Sequence, residues 1–257
     1  MANLYYREEL ADADFAVGGL VEIAGEEARH ALRVSRLRAG ERILVGNGRG
    51  AVGGGLVETA DRDRFAVRID EAVATPGEEP RPSLVLVQAL AKGDRDERAV
   101  EQATEFGVDR ILPWEARRSV STWRPRGGPD KSARGVEKWR RIAREAAKQS
   151  LRARIPAVGE PLGLRELAEA AAVGGAAVVV LHPRGAASLT AWAATPEARG
   201  LREILVVVGP EGGLAEDELD ALERAGARVA VLGGTVLRTS SAGPAAIAVL
   251  NAALGRW

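Results

Sequence analysis

Two glycine-rich stretches in the last quarter of the chain have residue types suited to chemistry. They are Gly209-Pro210-Glu211-Gly212-Gly213 and, about twenty residues on, Gly233-Gly234-Thr235-Val236-Leu237-Arg238-Thr239-Ser240-Ser241. Glycine lets backbone amides and carbonyls approach a ligand closely. A glycine turn before a helix suits a phosphate, but no Lys-Ser/Thr pair follows the first turn, which excludes a Walker loop. No Gly-x-Gly-x-x-Gly opens a helix, which argues against a nicotinamide enzyme. Ser240 and Ser241 lack the context of a hydrolase nucleophile elbow. One of Thr239, Ser240 and Ser241 is expected to N-cap the final helix, whose Pro244 suits a first turn. With no cysteine and only His30 and His182, a zinc site is not expected.

These turns need elements to hold them. Glu203 to Val208 is a continuous apolar run that enters the first turn, as expected of a strand buried on both faces of a parallel sheet. A helical pattern follows, with Leu214, Leu219 and Leu222 on one face and Gly226 as a C-cap signal. A strand from Arg228 to Leu232 enters the second turn, and a helix from Ala242 to Leu254 closes the chain. Ser83 to Ala89 and Ala176 to Leu181 are further buried strands, the latter ending at His182-Pro183. Open α/β sheets bind ligands at the carboxyl ends of such strands. The first 72 or so residues read as a β-meander that fits a small barrel. Gly46-Asn47-Gly48 signals a hairpin and Gly53-Gly54-Gly55 a bulge or turn. A linker with Pro76, Gly77, Pro80 and Pro82 follows.

The chain has 257 residues, 46% of them hydrophobic, enough for one large or two modest domains. It shows neither a signal-peptide pattern nor an apolar run of the roughly 20 residues that a membrane span needs, and a cytoplasmic location is expected. Formal net charge is zero, but Arg110 to Arg154 holds fourteen Lys/Arg against four Asp/Glu, and Arg29 to Arg49 holds six arginines against Glu41 alone. Basic stretches of this density suit phosphate contacts as well as solvated faces.

The glycine turn at 209–213, followed by Leu232-Gly233 and Leu237-Arg238-Thr239, resembles the C-terminal signature of the 16S ribosomal RNA uracil-1498 N3-methyltransferases. Further likenesses are Arg36-Leu37-Arg38-Ala39-Gly40, Glu101 to Gly107, Arg118-Ser119-Val120 and Trp139 to Ser150. The resemblance implies an α/β fold of the SPOUT class, a trefoil-knotted methyltransferase domain at 76–257, after a PUA-like β-barrel at 1–75. It implies S-adenosylmethionine as cofactor, held by Leu181, His182, Val208, Gly209, Pro210, Glu211, Gly212, Gly213, Leu232, Gly233, Val236, Leu237 and Thr239. The implied partners are 16S ribosomal RNA of the small ribosomal subunit and a second copy in a homodimer, with no metal and no membrane.

Uracil N3 is a weak nucleophile until its proton leaves, so a base or an anion-stabilising cation is needed. Glu211 and Arg238 are the candidates for those roles. Arg36, Arg38, Arg118, Arg140, Arg144 and Arg152 are the candidate RNA contacts. The chain departs from the family pattern at Ser35, Phe106, Lys148 and Ala215, and at Ser240, where the family often has Glu. Two other readings stay open: a SPOUT methyltransferase acting on a ribose 2′-oxygen or another base, and a non-catalytic RNA-binding protein of ribosome assembly.

Overall fold

The computed structural model describes residues 3–75, 77, 81–124 and 127–257. Of the proline-rich linker, Pro76 and Pro80 lie outside the described residues. The chain divides into two compact units, Met1–Glu78 with Ala147–Ile155, and Glu79–Ala146 with Pro156–Trp257. The sequence reading kept 147–155 with the second domain; this segment clusters with the first unit. There the Tyr6 hydroxyl donates to the Arg152 carbonyl at 2.6 Å, and Lys148 pairs with Glu27 at 3.1 Å.

The first unit contains β1 (Leu4–Tyr6), β2 (Leu20–Ala24), α1 (Gly25–Arg33), β3 (Arg42–Gly46), β4 (Val52–Ala60) and β5 (Arg64–Ala74). The sheet order is β1-β3-β4-β5-β2, with β1 parallel to β3 and the other pairs antiparallel. The two ends of this order are not paired with each other among the described residues, so the sheet is not closed into the expected barrel by backbone hydrogen bonds. Gly53 to Gly55 lie inside β4, where the register slips at Val52/Gly53 and Gly54/Gly55. Gly55 needs its missing side chain, since a Cβ there would meet the Arg68 carbonyl oxygen at 2.0 Å. Alternate residues Val21, Ile23, Phe65 and Val67 build the core, as the period of two dictates.

The second unit contains β6 (Ser83–Ala89), α2 (Arg95–Glu105), β7 (Arg110–Trp114), α3 (Ser132–Gln149, its last turn in the first unit), β8 (Ala157–Val158), α4 (Leu164–Ala171) and β9 (Ala176–Leu181). It continues through β10 (Ala187–Ser188), α5 (Leu189–Ala193), α6 (Pro196–Arg199), β11 (Glu203–Val208), α7 (Glu216–Arg224), β12 (Arg228–Val231) and α8 (Thr239–Ala253). Its strands form one all-parallel sheet in the order β10-β12-β9-β11-β6-β7-β8. Leu84, Leu86, Ile204, Val206 and Val208 point to one core, and Val85, Val87, Leu205 and Val207 to the other. Both faces of β6 and β11 are therefore buried, which explains why their sequences lack polar alternation.

Register places the functional loops. Val208 at the end of β11 lies opposite both Leu181 of β9 and Gln88 of β6. The chain leaves β12 beyond β9, yet α8 packs on β11, β6 and α2. The loop from 232 to 238 therefore passes back over the carboxyl ends of the central strands. Gly243 permits the close approach of α8, since a Cβ there would lie 2.6 Å from Leu86 Cδ1.

Asp109, just before β7, fastens the C-terminus. It accepts from the Leu84 N–H at 2.7 Å and from Arg256 at 2.8 and 3.0 Å, and the Arg256 side chain is only 6% exposed. Asp109→Ala leaves that guanidinium charged and unpaired in a buried place, which costs about 3–5 kcal/mol. The expected result is a correspondingly lower urea midpoint for the second unit, followed by tryptophan fluorescence.

Candidate active site

The carboxyl ends of β9 and β11 open onto a cleft of about 510 Å³, lined by Leu181–Pro183, Val208–Glu211, Gly213, Leu214, Val236–Thr239, Ala242 and Arg95. A second cleft, of about 310 Å³, shares Leu181–Pro183, Val236, Leu237 and Ala242 and adds Leu232 to Thr235. All but one of the sequence-predicted ligand residues line one cleft or the other. The exception is Gly212, which packs on Arg118: a Cβ there would meet Arg118 Cβ and O, each at 3.3 Å.

Thr239 holds two of the loops. Its buried hydroxyl donates to the Gly209 carbonyl at 2.8 Å and accepts from Gln88 Nε2 at 3.0 Å. The same Gln88 nitrogen also donates to its neighbour's carbonyl, that of Ala89, at 3.1 Å. Trp114 Nε1 donates to the Val208 carbonyl at 3.0 Å. The expected serine or threonine cap is not what forms. Arg238 occupies the N-cap position of α8 without a side-chain cap bond, and the Thr239 hydroxyl serves the neighbouring turn instead.

The first turn is gripped from outside by the loop after β7. Glu218, buried in α7, accepts from the N–H groups of Ala215 at 3.0 Å and Arg117 at 2.8 Å. This satisfies the N–H of the N-cap residue, while Ala215 itself offers no side-chain acceptor to the first turn of α7. Arg118 donates to the Gly212 carbonyl at 3.3 Å, and Arg117 pairs with Asp217.

The loop after β9 is tied down at Arg184, which pairs with Glu216 and Asp220 at 2.8 Å each and also with Glu223, all on α7. His182 Nδ1 accepts from the Arg184 N–H at 3.2 Å. Burial holds the imidazole below its ordinary pKa, with the Arg184 charge acting in the same direction and Glu216 and Glu223 opposing it. A neutral ring with Nδ1 accepting carries its proton on Nε2 and presents a donor.

The two charged candidates differ sharply. Glu211 is engaged: its carboxylate pairs with Arg95 and accepts from the Lys92 N–H at 3.0 Å. Burial pushes the Glu211 carboxyl up, but the hydrogen bonds from its own N–H, Arg95 and Lys92 outweigh this and hold it below the usual carboxylate range. Such a carboxylate is a poor proton acceptor. Arg238 lines the same cleft, is exposed, and has no ion pair or side-chain hydrogen bond among the described residues.

The RNA candidates are divided between the two units. Arg36 and Arg38 flank the buried Leu37 in the first unit, both exposed and without an ion pair among the described residues. Arg152 is in the same unit, its backbone carbonyl held by Tyr6. Arg140 and Arg144 stand one turn apart on α3, Arg140 within 3.9 Å of Glu137 and Glu160 and Arg144 within 3.1 Å of Glu145. In the second unit, Arg118 is bonded to the cleft's own turn. Among groups of His, Asp and Glu, none could hold a metal ion among the described residues.

Among the residues missed from sequence are Arg95 and Gln88. Gln88 lies at the end of β6 and Arg95 opens α2 after it, as the other ligand residues lie at or just after strand ends. That position was the available signal. Asp96 beside Arg95 is buried, and its carboxylate accepts from the N–H groups of Ala91 at 3.2 Å and Glu97 at 2.8 Å.

Comparison with known proteins accords with this geometry. Residues 78–251 match the model of an RNA methyltransferase domain, and residues 23–70 that of an RNA methyltransferase PUA domain. The chain belongs to the RNA methyltransferase family. It is 38% identical to the ribosomal RNA small subunit methyltransferase E of Mycobacterium bovis, over 100% of this chain and 94% of the relative. The protein of the same name from Bacillus subtilis is 28% identical over 92% and 91%. Among crystal structures, the ribosomal RNA small subunit methyltransferase E of Neisseria gonorrhoeae, bound to S-adenosylmethionine, superposes with a TM-score of 0.82 at 26% identity over 98% of both chains. A Legionella pneumophila putative methyltransferase with the same bound cofactor gives 0.81 at 25% identity over 98% of both. No described helix is long and apolar enough to cross a membrane.

Thr239→Val removes both hydroxyl bonds and leaves the Gly209 carbonyl and Gln88 amide without that partner. A loss of about 1–3 kcal/mol is expected, read as a lower denaturation midpoint and faster amide exchange in 209–213. Burial raises the Asp96 carboxyl to about 6, against the opposing backbone hydrogen bonds. Because the folded value lies above the unfolded one, the associated stability is full below about pH 4 and is lost as pH rises through about 6. The stability advantage of the native chain over Asp96→Asn is therefore larger at pH 4.5 than at pH 8, measured by urea titration.

Proposed function

We propose that this protein transfers a methyl group from S-adenosylmethionine to N3 of one uridine, family position 1498, in 16S ribosomal RNA. The observation that carries the reading is the cleft at the converging strand ends, where backbone from three loops meets one unpaired guanidinium, Arg238. Relatives named for small-subunit ribosomal RNA methylation, one at 38% identity over the whole chain, support the substrate. Neighbours crystallised with the cofactor support its identity.

The residues present fit that cofactor. A cleft of about 510 Å³ lies within the roughly 300–1,000 Å³ range of small-ligand sites. A Cβ on Gly233 or Gly234 would meet nothing within 4 Å, so the backbone there is bare to a ligand. Leu181, His182, Val208 to Glu211, Gly213, Leu232, Gly233, Val236, Leu237 and Thr239 would hold it. When bound, it supplies a sulfonium methyl open to in-line attack.

The protein's own groups must then orient the uracil and stabilise the N3/O4 anion left when the N3 proton departs to solvent. Arg238 is suited to that, being a permanent cation with no competing partner. Glu211, already in an ion pair and with a lowered pKa, is assigned to bracing the loop rather than to taking the proton. The return of α8 across β9 to β11 and β6 supports a knotted SPOUT domain, and the resemblance supports a homodimer and a cytoplasmic location.

The test mixes purified protein and labelled S-adenosylmethionine with small ribosomal subunits lacking the modification, and the labelled nucleoside is mapped. N3-methyluridine at one position is expected. Label on a ribose oxygen or another base would move the reaction elsewhere, and absence of both label and cofactor binding would favour a non-catalytic RNA-binding role. Arg238→Ala should lower kcat by about 10²–10³-fold, the usual loss for an anion-stabilising donor. Glu211→Gln should keep kcat within about tenfold; a collapse with intact cofactor binding would restore Glu211 as the base.

A further inference from the structure

The rim of the cleft holds an arrangement of charge that cofactor binding does not account for. Lys92 and Arg95 follow the end of β6, and Arg95 lines the cleft together with Arg238. The acids nearest to them, at 94, 96 and 97, are engaged elsewhere. Asp94 accepts from Arg98 at 3.0 Å, Glu97 pairs with Lys138, and Asp96 is turned onto two backbone amides. Lys92 and Arg238 have no side-chain partner among the described residues. Arg95 uses Nη1 on Glu211, while its Nε and Nη2 have none.

Building on the function proposed above, we propose that Arg95 is an RNA-binding residue, with Glu211 as its resting counter-ion. A phosphodiester of the target strand replaces the Glu211 carboxylate on the Arg95 guanidinium. The planar fork of donors on arginine suits two phosphate oxygens. The present pair is open to exchange, because its side chains are 45% and 28% exposed and exposed pairs are weak. Glu211 keeps the Lys92 N–H when Arg95 departs, so the turn stays braced.

A carboxylate of the cofactor is the other oxyanion that Arg95 could take. Charge favours the phosphodiester. S-adenosylmethionine carries a sulfonium and an ammonium against one carboxylate, so cations at the rim, one of them offset by Glu211, give it no net attraction. The same rim attracts a polyanionic strand.

The test uses the full chain, small ribosomal subunits lacking the methyl group, and S-adenosylmethionine. Subunit affinity is measured across a salt series, and cofactor affinity by calorimetry. Arg95→Ala should weaken subunit binding by about tenfold and reduce the log–log salt slope by about 0.7–0.9, with cofactor affinity unchanged within about twofold. Arg95→Lys should restore the slope but not the full affinity, because the charge returns without the fork. Glu211→Gln should tighten subunit binding by removing the competing carboxylate. An unchanged slope in Arg95→Ala overturns the proposal, and a loss confined to cofactor affinity reassigns Arg95 to the cofactor. A native protein that binds subunits but not the cofactor would defeat the methyl-transfer reading and leave the slope comparison intact. One that binds no subunits overturns both.

Discussion

The hydroxyl of Thr239 joins the end of β6 to the first glycine turn, and the site depends on that junction. Gln88 belongs to β6, Gly209 follows β11, and Thr239 opens α8 after the chain has crossed back from β12. Three segments are thus set by one residue that itself lines the cleft. The in-register pairing of β9, β11 and β6 makes this possible, because Leu181, Val208 and Gln88 end at the same level. A hydroxyl can donate and accept at once, so it satisfies a carbonyl and an amide that burial would otherwise leave costly.

Around this junction the protein separates structural charge from available charge. Arg184 is committed to three acids of α7, Glu218 to two backbone amides, and Glu211 to Arg95 and Lys92. Each commitment fixes a loop at the cleft. Among the described residues Arg238 remains without such a partner. A cation on a well-held backbone but not itself neutralised suits a charge that arises only during reaction, since its field needs no reorganisation then. His182 follows related logic: its Nδ1 is occupied by the Arg184 N–H, which leaves Nε2 as the donor of a neutral ring.

Much of the second unit was legible in the chain. The apolar runs at 83–89, 176–181 and 203–208 are strands in a parallel sheet, and Gly107 and Gly226 end helices with positive φ. The ligand residues quoted from the glycine turns line the clefts, apart from Gly212. Less legible were β1, a three-residue strand with no alternation to reveal it, and the start of α8. The expected helix began at Ala242, three residues after the observed Thr239. The serine-rich start looked like a cap, whereas the hydroxyl that counts bonds across to another loop. Segment 147–155 also escaped, because its helix runs unbroken through the unit boundary.

By itself the sequence determined which segments are buried on two faces, where the backbone is free to approach a ligand, and which family the chain resembles. These properties are local: hydrophobic periodicity, glycine and motif spacing are written along a few consecutive residues. Tertiary structure alone decided that β6 stands beside β11, that Glu211 meets Arg95 while Arg238 meets no partner among the described residues, and that Thr239 bridges Gln88 and Gly209. Those outcomes depend on strand order and on contacts between residues more than a hundred positions apart. A carboxylate acquires its partner and its acidity only once folding has chosen its neighbours, so its chemistry cannot be read from residue type alone.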